Sequence, residues 1–597
     1  MNHDEKYTIL KERFGHNAFR DKQEEAVDAI LEGRDLLMIL PTGGGKSLAF
    51  QLPSLMMEGT TIVISPLIAL MQDQVHALKA QNMQAEMLSS MQTSQESEMI
   101  INDLMYGDLK FLYLSPERLN TPRMQQILSQ IKINFFVIDE AHCISEWGHE
   151  FREDYRLLSQ LRERFASVSI AAFTATATHH VRDDILRLLC LDNAKVLQGV
   201  IFRENLKISV KHRHGEGREQ LQELLQRFTG QSGIIYTSSR KKTESLSHYL
   251  NTHGYKSLAY HAGLAHEERS RVYHAFVYDE VQIVVATIAF GMGIDKSNIR
   301  FVVHMNLPKT VENYYQEMGR AGRDGEHSEV MLLFSAADMI QQKHFITQVE
   351  DVGYSTHMYD KLNAIYRYAS SETCRHQMIA KYFEDDIPSC EHHCDNCVDE
   401  DKERTDITLQ AQKLLSTIYK TAQMFGKNYI VDILRGSKDQ KILANKHDEL
   451  SVYGIGEEQS KKQWFVIVDR LLEIGAIGFN EHKGLILLEE GIALLKGKSS
   501  LLIEAARLHV SPSKAKKVYE EEVDYNSDLY EKLRILRAVI AKENSIPAYI
   551  VFGDKTLKEM ARHIPQSDEE MLAINGVGAK KLEQYGEQFL ALLRSLH

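Results

Sequence analysis

This chain of 597 residues has no excess of positive charge, little cysteine and no long apolar run. Its 83 acidic residues outnumber 70 basic ones, for a formal net charge of −13. That excludes a protein coated in positive charge, although a local basic groove can sit in an acidic whole. Six cysteines over such a length do not make a secreted disulfide framework. The charged N-terminus, MNHDEKYTILKERFG, lacks the apolar centre of a signal peptide. No stretch of about eighteen apolar residues offers a membrane span, and no sequence repeat of fixed period is present. The expectation is a chain of several globular domains in a reducing cytoplasm, with no membrane contact, because 597 residues exceed what one core organises.

Apolar runs at Leu36–Leu40, Thr61–Ser65, Lys110–Leu114, Phe135–Asp139 and Ser169–Thr174 alternate with amphipathic segments. That is the pattern of an α/β fold, a parallel sheet covered by helices. The pattern restarts near residue 209 with runs at Gly233–Thr237, Ser257–Tyr260, Gln282–Ala286 and Arg300–His304. Two α/β domains are therefore expected, over 1–208 and 209–345. A cysteine-bearing module over 346–406 ends in the hydrophilic stretch VDEDKERTD. A helical domain over 407–510 closes with a hairpin at 477–488. A charged linker (511–524) leads to a small helical domain over 525–597.

The segment PTGGGKS (41–47) reads as a phosphate cradle. Gly43, Gly44 and Gly45 let the backbone turn tightly and aim N–H groups at phosphate oxygens, with Thr42 beside them expected to contact the nucleotide. Lys46 is placed to reach the β- and γ-phosphates and Ser47 to ligate Mg²⁺. The strict pattern has glycine where Leu40 stands; the spacing survives. About ninety residues on, the strand Phe135–Ile138 ends in Asp139-Glu140. Asp139 is expected to hold magnesium through water, and Glu140 to orient and deprotonate the attacking water. Phosphoryl transfer also needs positive charge opposite the cradle. QEMGRAGRDG (316–325) supplies Gln316 and two arginines three apart, hence on one helical face, with Arg323 as the arginine finger and Arg320 supporting it.

Cys374, Cys390, Cys394 and Cys397 follow the spacing C-x15-C-x3-C-x2-C. Four thiolates suit a closed structural Zn²⁺ site; His392 and His393 could substitute, but four cysteines already complete the shell.

Read together, FRDKQ (19–23), LPTGGGKS (40–47), SPLIALMQDQ (65–74), SPERL (115–119), DEAHCISEWGHEFR (139–152), TATAT (174–178), YTSSRKKTE (236–244), YHAGL (260–264), ATIAFGMGIDK (286–296) and QEMGRAGRDG resemble a RecQ-family DNA helicase of superfamily 2. The resemblance covers almost the whole chain. It implies two tandem RecA-like domains, then a zinc-binding module, a winged helix and an HRDC domain. It also implies ATP as the nucleotide, with Arg20 and Gln23 at the adenine and His16 stacked where relatives place tyrosine.

In the segment after DEAH, Trp147 and Phe151 bracket His149 and Arg152. The resemblance implies that it couples single-stranded DNA to hydrolysis by stacking and phosphate contact. From composition alone the two aromatics would equally fill core between domains. Thr174 and Thr176 are expected to relay between nucleotide and DNA, and Tyr366-Arg367-Tyr368 to form a DNA platform. The turn Gly576–Gly578 before Lys580 and Lys581 has a geometry that receives a DNA phosphate; a packing module without DNA contact is the other reading. The implied activity is 3′ to 5′ unwinding of single-stranded and forked duplex DNA. It serves recombination, repair and fork maintenance, by a monomer near the nucleoid, with single-stranded-DNA-binding protein and recombination factors as partners. An RNA motor, or an ATP-gated DNA-binding protein that does not unwind, are the rival readings.

Overall fold

The computed structural model describes residues 3–89, 92–148, 151–291, 294, 296–349, 351–398, 404–480, 484–504, 525–544 and 546–595. The linker expected at 511–524 lies outside them. The chain packs into two compact units. The first holds two parallel sheets and the C-terminal helical domain; the second holds the helix Val352–Ser370 and the winged helix.

The first sheet, of lobe 1, has seven strands: β1 (Leu36–Ile39), β2 (Thr60–Ile64), β3 (Ala85–Leu88), β4 (Phe111–Leu114), β5 (Ile133–Ile138), β6 (Ile170–Thr174) and β7 (Lys195–Gln198), in the order β3-β4-β2-β5-β6-β1-β7. Every pairing is parallel. Sequences such as LLMI and INFFVI suit this sheet, because its inner strands are covered on both faces and need apolar residues throughout. The second sheet, of lobe 2, comprises β8 (Leu206–His212), β9 (Ser232–Tyr236), β10 (Ser257–Tyr260), β11 (Ile283–Ala286), β12 (Ile299–His304) and β13 (Ser328–Phe334), in the order β10-β11-β9-β12-β13-β8. It too is parallel throughout. β8 begins before the boundary expected at 208–209, and β3, β7, β8 and β13 join the nine strands read from the sequence.

Parallel topology puts the carboxyl ends of β1, β5 and β6 at one edge, where ligands of open α/β sheets bind. The outer strand β8 is flanked by residues of the cysteine module: Ile208 N donates to His393 O at 2.9 Å. His376 Nε2 lies 3.2 Å from Leu206 O and 3.1 Å from His393 O.

In the second unit, Ser460 and Gln463 form a reciprocal cap that starts the helix Lys461–Glu473. That helix buries Trp464 completely, and its Nε1 donates to Gly456 O at 2.8 Å. The hairpin pairs Ile477–Phe479 with Leu485–Leu487; its tip, 481–483, lies outside the described residues. Tyr368 is buried beneath Arg375 and offers no platform, so the DNA role expected of it does not hold. In the C-terminal domain, Phe552 meets Phe589 edge-on at 4.9 Å, and the buried pair Arg537–Asp554 closes at 2.8 Å. Among the described residues no helix is long and apolar enough to cross a membrane.

Replacing Trp464 by Ala removes a fully buried indole and its hydrogen bond. The winged helix should lose about 3–5 kcal/mol in chemical denaturation. A loss under about 1 kcal/mol, the range of surface substitutions, would contradict this packing.

Candidate active site

β1 runs into the loop 40–45, and the helix Lys46–Met56 follows at once. Gly43 and Gly45 both turn at φ +82°. A Cβ on Gly45 would lie 2.2 Å from the Gln23 amide nitrogen. That closeness is used: Gln23 Nε2 donates to Gly45 O at 3.0 Å, and its Oε1 accepts from Arg20 N at 2.7 Å. Arg20 Nη1 donates to Gly43 O at 3.0 Å. The two residues expected at the adenine thus grip the carbonyl side of the phosphate loop. Because N–H and C=O of one peptide plane point oppositely, this faces the loop's donors the other way. Lys46 Nζ donates to Leu40 O at 3.0 Å, and the Leu40 side chain is buried in the core below the loop. Thr42 and Ser47 are half-buried on the same turn. His16 is half-buried too; burial first, then Arg20 and Lys581, lower its pKa to about 4.

β5 delivers Asp139 and Glu140. Asp139 is buried, and its Oδ1 accepts from Glu140 N at 3.0 Å. Glu140 takes a left-handed backbone, φ +48°, uncommon for a residue with a side chain. This turn sends its carboxylate to within 3.4 Å of His142 Nδ1. The same Nδ1 is 2.9 Å from Thr174 Oγ1, which donates to Thr176 O at 3.0 Å. The structure therefore joins the acidic pair to the TATAT segment through His142, a residue the sequence reading leaves without a role. The histidine of DEAH, two residues after the acidic pair, is the signal that could have found it.

The aromatic segment departs from this point. Gly148 packs so tightly on the DEAH turn that a Cβ would meet His142 O at 2.4 Å. Trp147 is 50% exposed and Phe151 38%, which removes the reading of both as core filling. Phe151 lies under the Arg156 guanidinium at 5.3 Å, and Arg152 Nη1 donates to Pro66 O at 2.9 Å. His149 lies outside the described residues. Trp147, Gly148, His142 and Thr176 share a small crevice with Glu312 of lobe 2.

The helix Val311–Met318, which buries Gln316, ends at Gly319. Arg320 and Arg323 follow in successive turns, so the shared helical face expected for them is not formed. Two glycines, Gly319 and Gly322 (φ +58°), favour turns over helix here. Arg323 nevertheless comes up against the phosphate loop. A Cβ on Gly43 would stand 3.2 Å from Arg323 Cγ, and one on Gly319 3.2 Å from Thr42 Cβ. Arg320 is buried beside Gly291 and within hydrogen-bond reach of the Tyr236 hydroxyl. Tyr236 stacks on His304 at 5.1 Å, and His304 Nε2 meets Glu317 Oε2 at 2.7 Å. This buried set also escapes sequence reading, because each member looks like ordinary core or surface.

The sulfurs of Cys374, Cys390, Cys394 and Cys397 lie within 4.8 Å of one another. A zinc tetrahedron with bonds of about 2.3 Å has edges of about 3.8 Å, so the four thiols fit it. His376 and His393 are occupied with backbone and ring contacts nearby.

The turn Gly576–Gly578 meets lobe 1 rather than solvent. A Cβ on Gly15 would lie 3.2 Å from Gly578 N, and Lys580 donates to Gln81 O. Lys558 of the same domain pairs with Glu326 of lobe 2. The phosphate-receiving geometry read from the glycines is taken up by the protein's own backbone.

The chain matches five family descriptions in order. They are DEAD/DEAH box helicase over 20–185, helicase conserved C-terminal domain over 216–325, RecQ zinc-binding over 336–398, RQC domain over 401–512 and HRDC domain over 526–593. It is 42% identical over 591 residues to the ATP-dependent DNA helicase RecQ of Haemophilus influenzae, covering 98% of this chain and 95% of that protein. It is 43% identical over 589 residues to the protein of that name in Pasteurella multocida (98% and 93% covered). To that of Bacillus subtilis it is 40% identical over 588 residues (98% and 97% covered).

Two outcomes are expected. His16 has a folded pKa of about 4, below its unfolded value near 6.5. The unfolded chain therefore binds more protons in that window, and stability falls as pH drops through it. His16→Gln should lose less melting temperature than the parent between pH 7 and pH 5; parallel losses would contradict the assignment. Elemental analysis should find one zinc per chain, and Cys394→Ser should lower both zinc content and melting temperature. Well-folded parent protein without zinc would rule the site out.

Proposed function

From a chain that belongs to the RecQ family of ATP-dependent DNA helicases, we infer that ATP is hydrolysed between the two lobes and that hydrolysis drives unwinding of DNA. Lys46 and the loop 42–45 bind the phosphates, with Arg20, Gln23 and His16 on the adenine side. Ser47 and Asp139 would hold Mg²⁺; a hydroxyl and a carboxylate are the oxygen donors this ion prefers. When bound, magnesium would neutralise charge developing between the β- and γ-phosphates. Glu140 orients and deprotonates the attacking water, from a carboxylate that its left-handed backbone brings beside His142. Arg323, supported by Arg320 and Gln316, supplies positive charge from lobe 2.

The observation that carries this reading is the meeting of Gly43 with Arg323, phosphate loop against arginine turn. A DNA-binding protein that merely senses ATP has no need of that juxtaposition, so the non-unwinding alternative is not favoured. Trp147, His149, Phe151 and Arg152 contact single-stranded DNA. Gly148 carries their displacement to His142 and so to Glu140 and Thr174. The same reading extends to 3′ to 5′ travel, single-stranded and forked duplex substrates and a monomeric enzyme of the cytoplasm. It includes single-stranded-DNA-binding protein and recombination factors as partners.

A strand-displacement assay paired with nucleotide binding tests it. Lys46→Ala should abolish ATP-dependent unwinding and cut hydrolysis on the order of 100-fold or more. Trp147→Ala should bind ATP normally yet lose most DNA stimulation of hydrolysis. Undiminished stimulation in that variant would refute the coupling role of the aromatic segment.

A further inference from the structure

Arg203 sits on the connector between β7 and β8, where one lobe hands the chain to the other. Its Nη1 donates to Gly319 O at 2.9 Å and to Thr42 O at 3.3 Å. Its Nη2 donates to Gly322 O and lies 3.5 Å from Asn205 Oδ1. Asn205 Nδ2 reinforces the grip, reaching Gly322 O at 2.8 Å and Glu326 O at 2.9 Å.

Those carbonyls are not arbitrary. Each begins a peptide plane whose N–H belongs to the next residue: Thr42 precedes Gly43, Gly319 precedes Arg320, and Gly322 precedes Arg323. Fixing a carbonyl fixes its whole plane. One guanidinium thereby orients the entry to the phosphate loop and the entries to both arginines. Among the described residues its hydrogen-bond acceptors are neutral oxygens, so this half-buried charge has no hydrogen-bonded carboxylate to offset desolvation. Burial accordingly pulls its pKa down to about 10. The planar guanidinium holds its five donors in a rigid fork that fixes these carbonyls relative to one another; the compact ammonium of lysine, on a flexible stem, does not reproduce that geometry.

We propose that Arg203 is a positioning residue for ATP hydrolysis, a clasp that sets the arginine turn of lobe 2 against the phosphate loop of lobe 1 from the connector between them. This deepens the proposed function and rests on its reading of Arg320 and Arg323. Arg203 acts through the backbone planes that aim other groups, so its loss lowers turnover without weakening ground-state binding of ATP.

The test uses the full chain, with melting temperature as the folding control. Arg203→Lys keeps the charge but not the fork. Its kcat with DNA should fall on the order of 100-fold, as misplacement near a reacting centre does, while KM for ATP stays within about two-fold. Affinity for Mg-ADP with aluminium fluoride should fall alongside kcat, and affinity for ADP alone should not. Combined with Arg323→Ala, the Lys substitution should add little, because both act through one turn. Arg203→Gln, which keeps donors without charge, should lie at or below the Lys variant. Parental turnover in Arg203→Lys, a loss confined to KM, or losses that multiply in the double variant would each overturn the proposal. If Arg323→Ala itself hydrolyses ATP at the parental rate, the reading of the arginine turn fails first, and the clasp fails with it.

Discussion

A phosphoanhydride is broken fastest when cationic groups face it from the side opposite the loop that holds it. Here those two sides belong to different sheets, and their approach is limited by backbone thickness. Gly43 admits Arg323, and Gly319 admits Thr42, each within about van der Waals contact of a Cβ that is not there. The all-parallel sheets serve this meeting. They gather the ends of β1, β5 and β6 at one edge of lobe 1, and they let β12 feed the helix and turn of lobe 2 that carry the arginines.

The same edge connects fuel to track. Glu140 reaches His142, His142 reaches Thr174, and Gly148 rests on the His142 carbonyl. Trp147 and Phe151 stand exposed only a few residues away. On the proposed reading, a shift of the aromatics on binding a strand has a short, stiff path to the Glu140 carboxylate. Stiffness is the useful property, because packed interiors pass displacement on rather than absorbing it.

Much of this was legible in the sequence, and for definite reasons. Inner strands such as β2 and β5 are covered on both faces and read as unbroken apolar runs. The glycines of 43–45, the acidic pair after β5 and the four cysteines are local patterns that chemistry demands at fixed spacing. The outer strands β3, β7 and β8 are half-covered and carry Glu86, Lys195 and Lys207, so their pattern is diluted. β13 is different: VMLLF is as apolar as any inner strand, yet the strands read from the sequence stop at His304 and miss it. The arginine turn misled because three-residue spacing also suits a helix, and only the glycines beside it say otherwise. Arg203, Tyr236 and His304 were invisible, since their partners lie far off in sequence and are largely backbone oxygens. The turn Gly576–Gly578 looked open to phosphate because nothing local records that Gly15 occupies it.

β8 borders the second sheet, and a bare border strand is a template on which another chain can add a strand. Residues 393 and 394 cover it at Ile208, whose N–H is bonded to His393 O at 2.9 Å. Cys394 is also one of the four clustered thiols. The metal module thus also covers part of a sheet border. A population short of zinc would uncover that border, and its hazard would be self-association through β8, a concentration-dependent fate that no defect in the ATP cleft would produce.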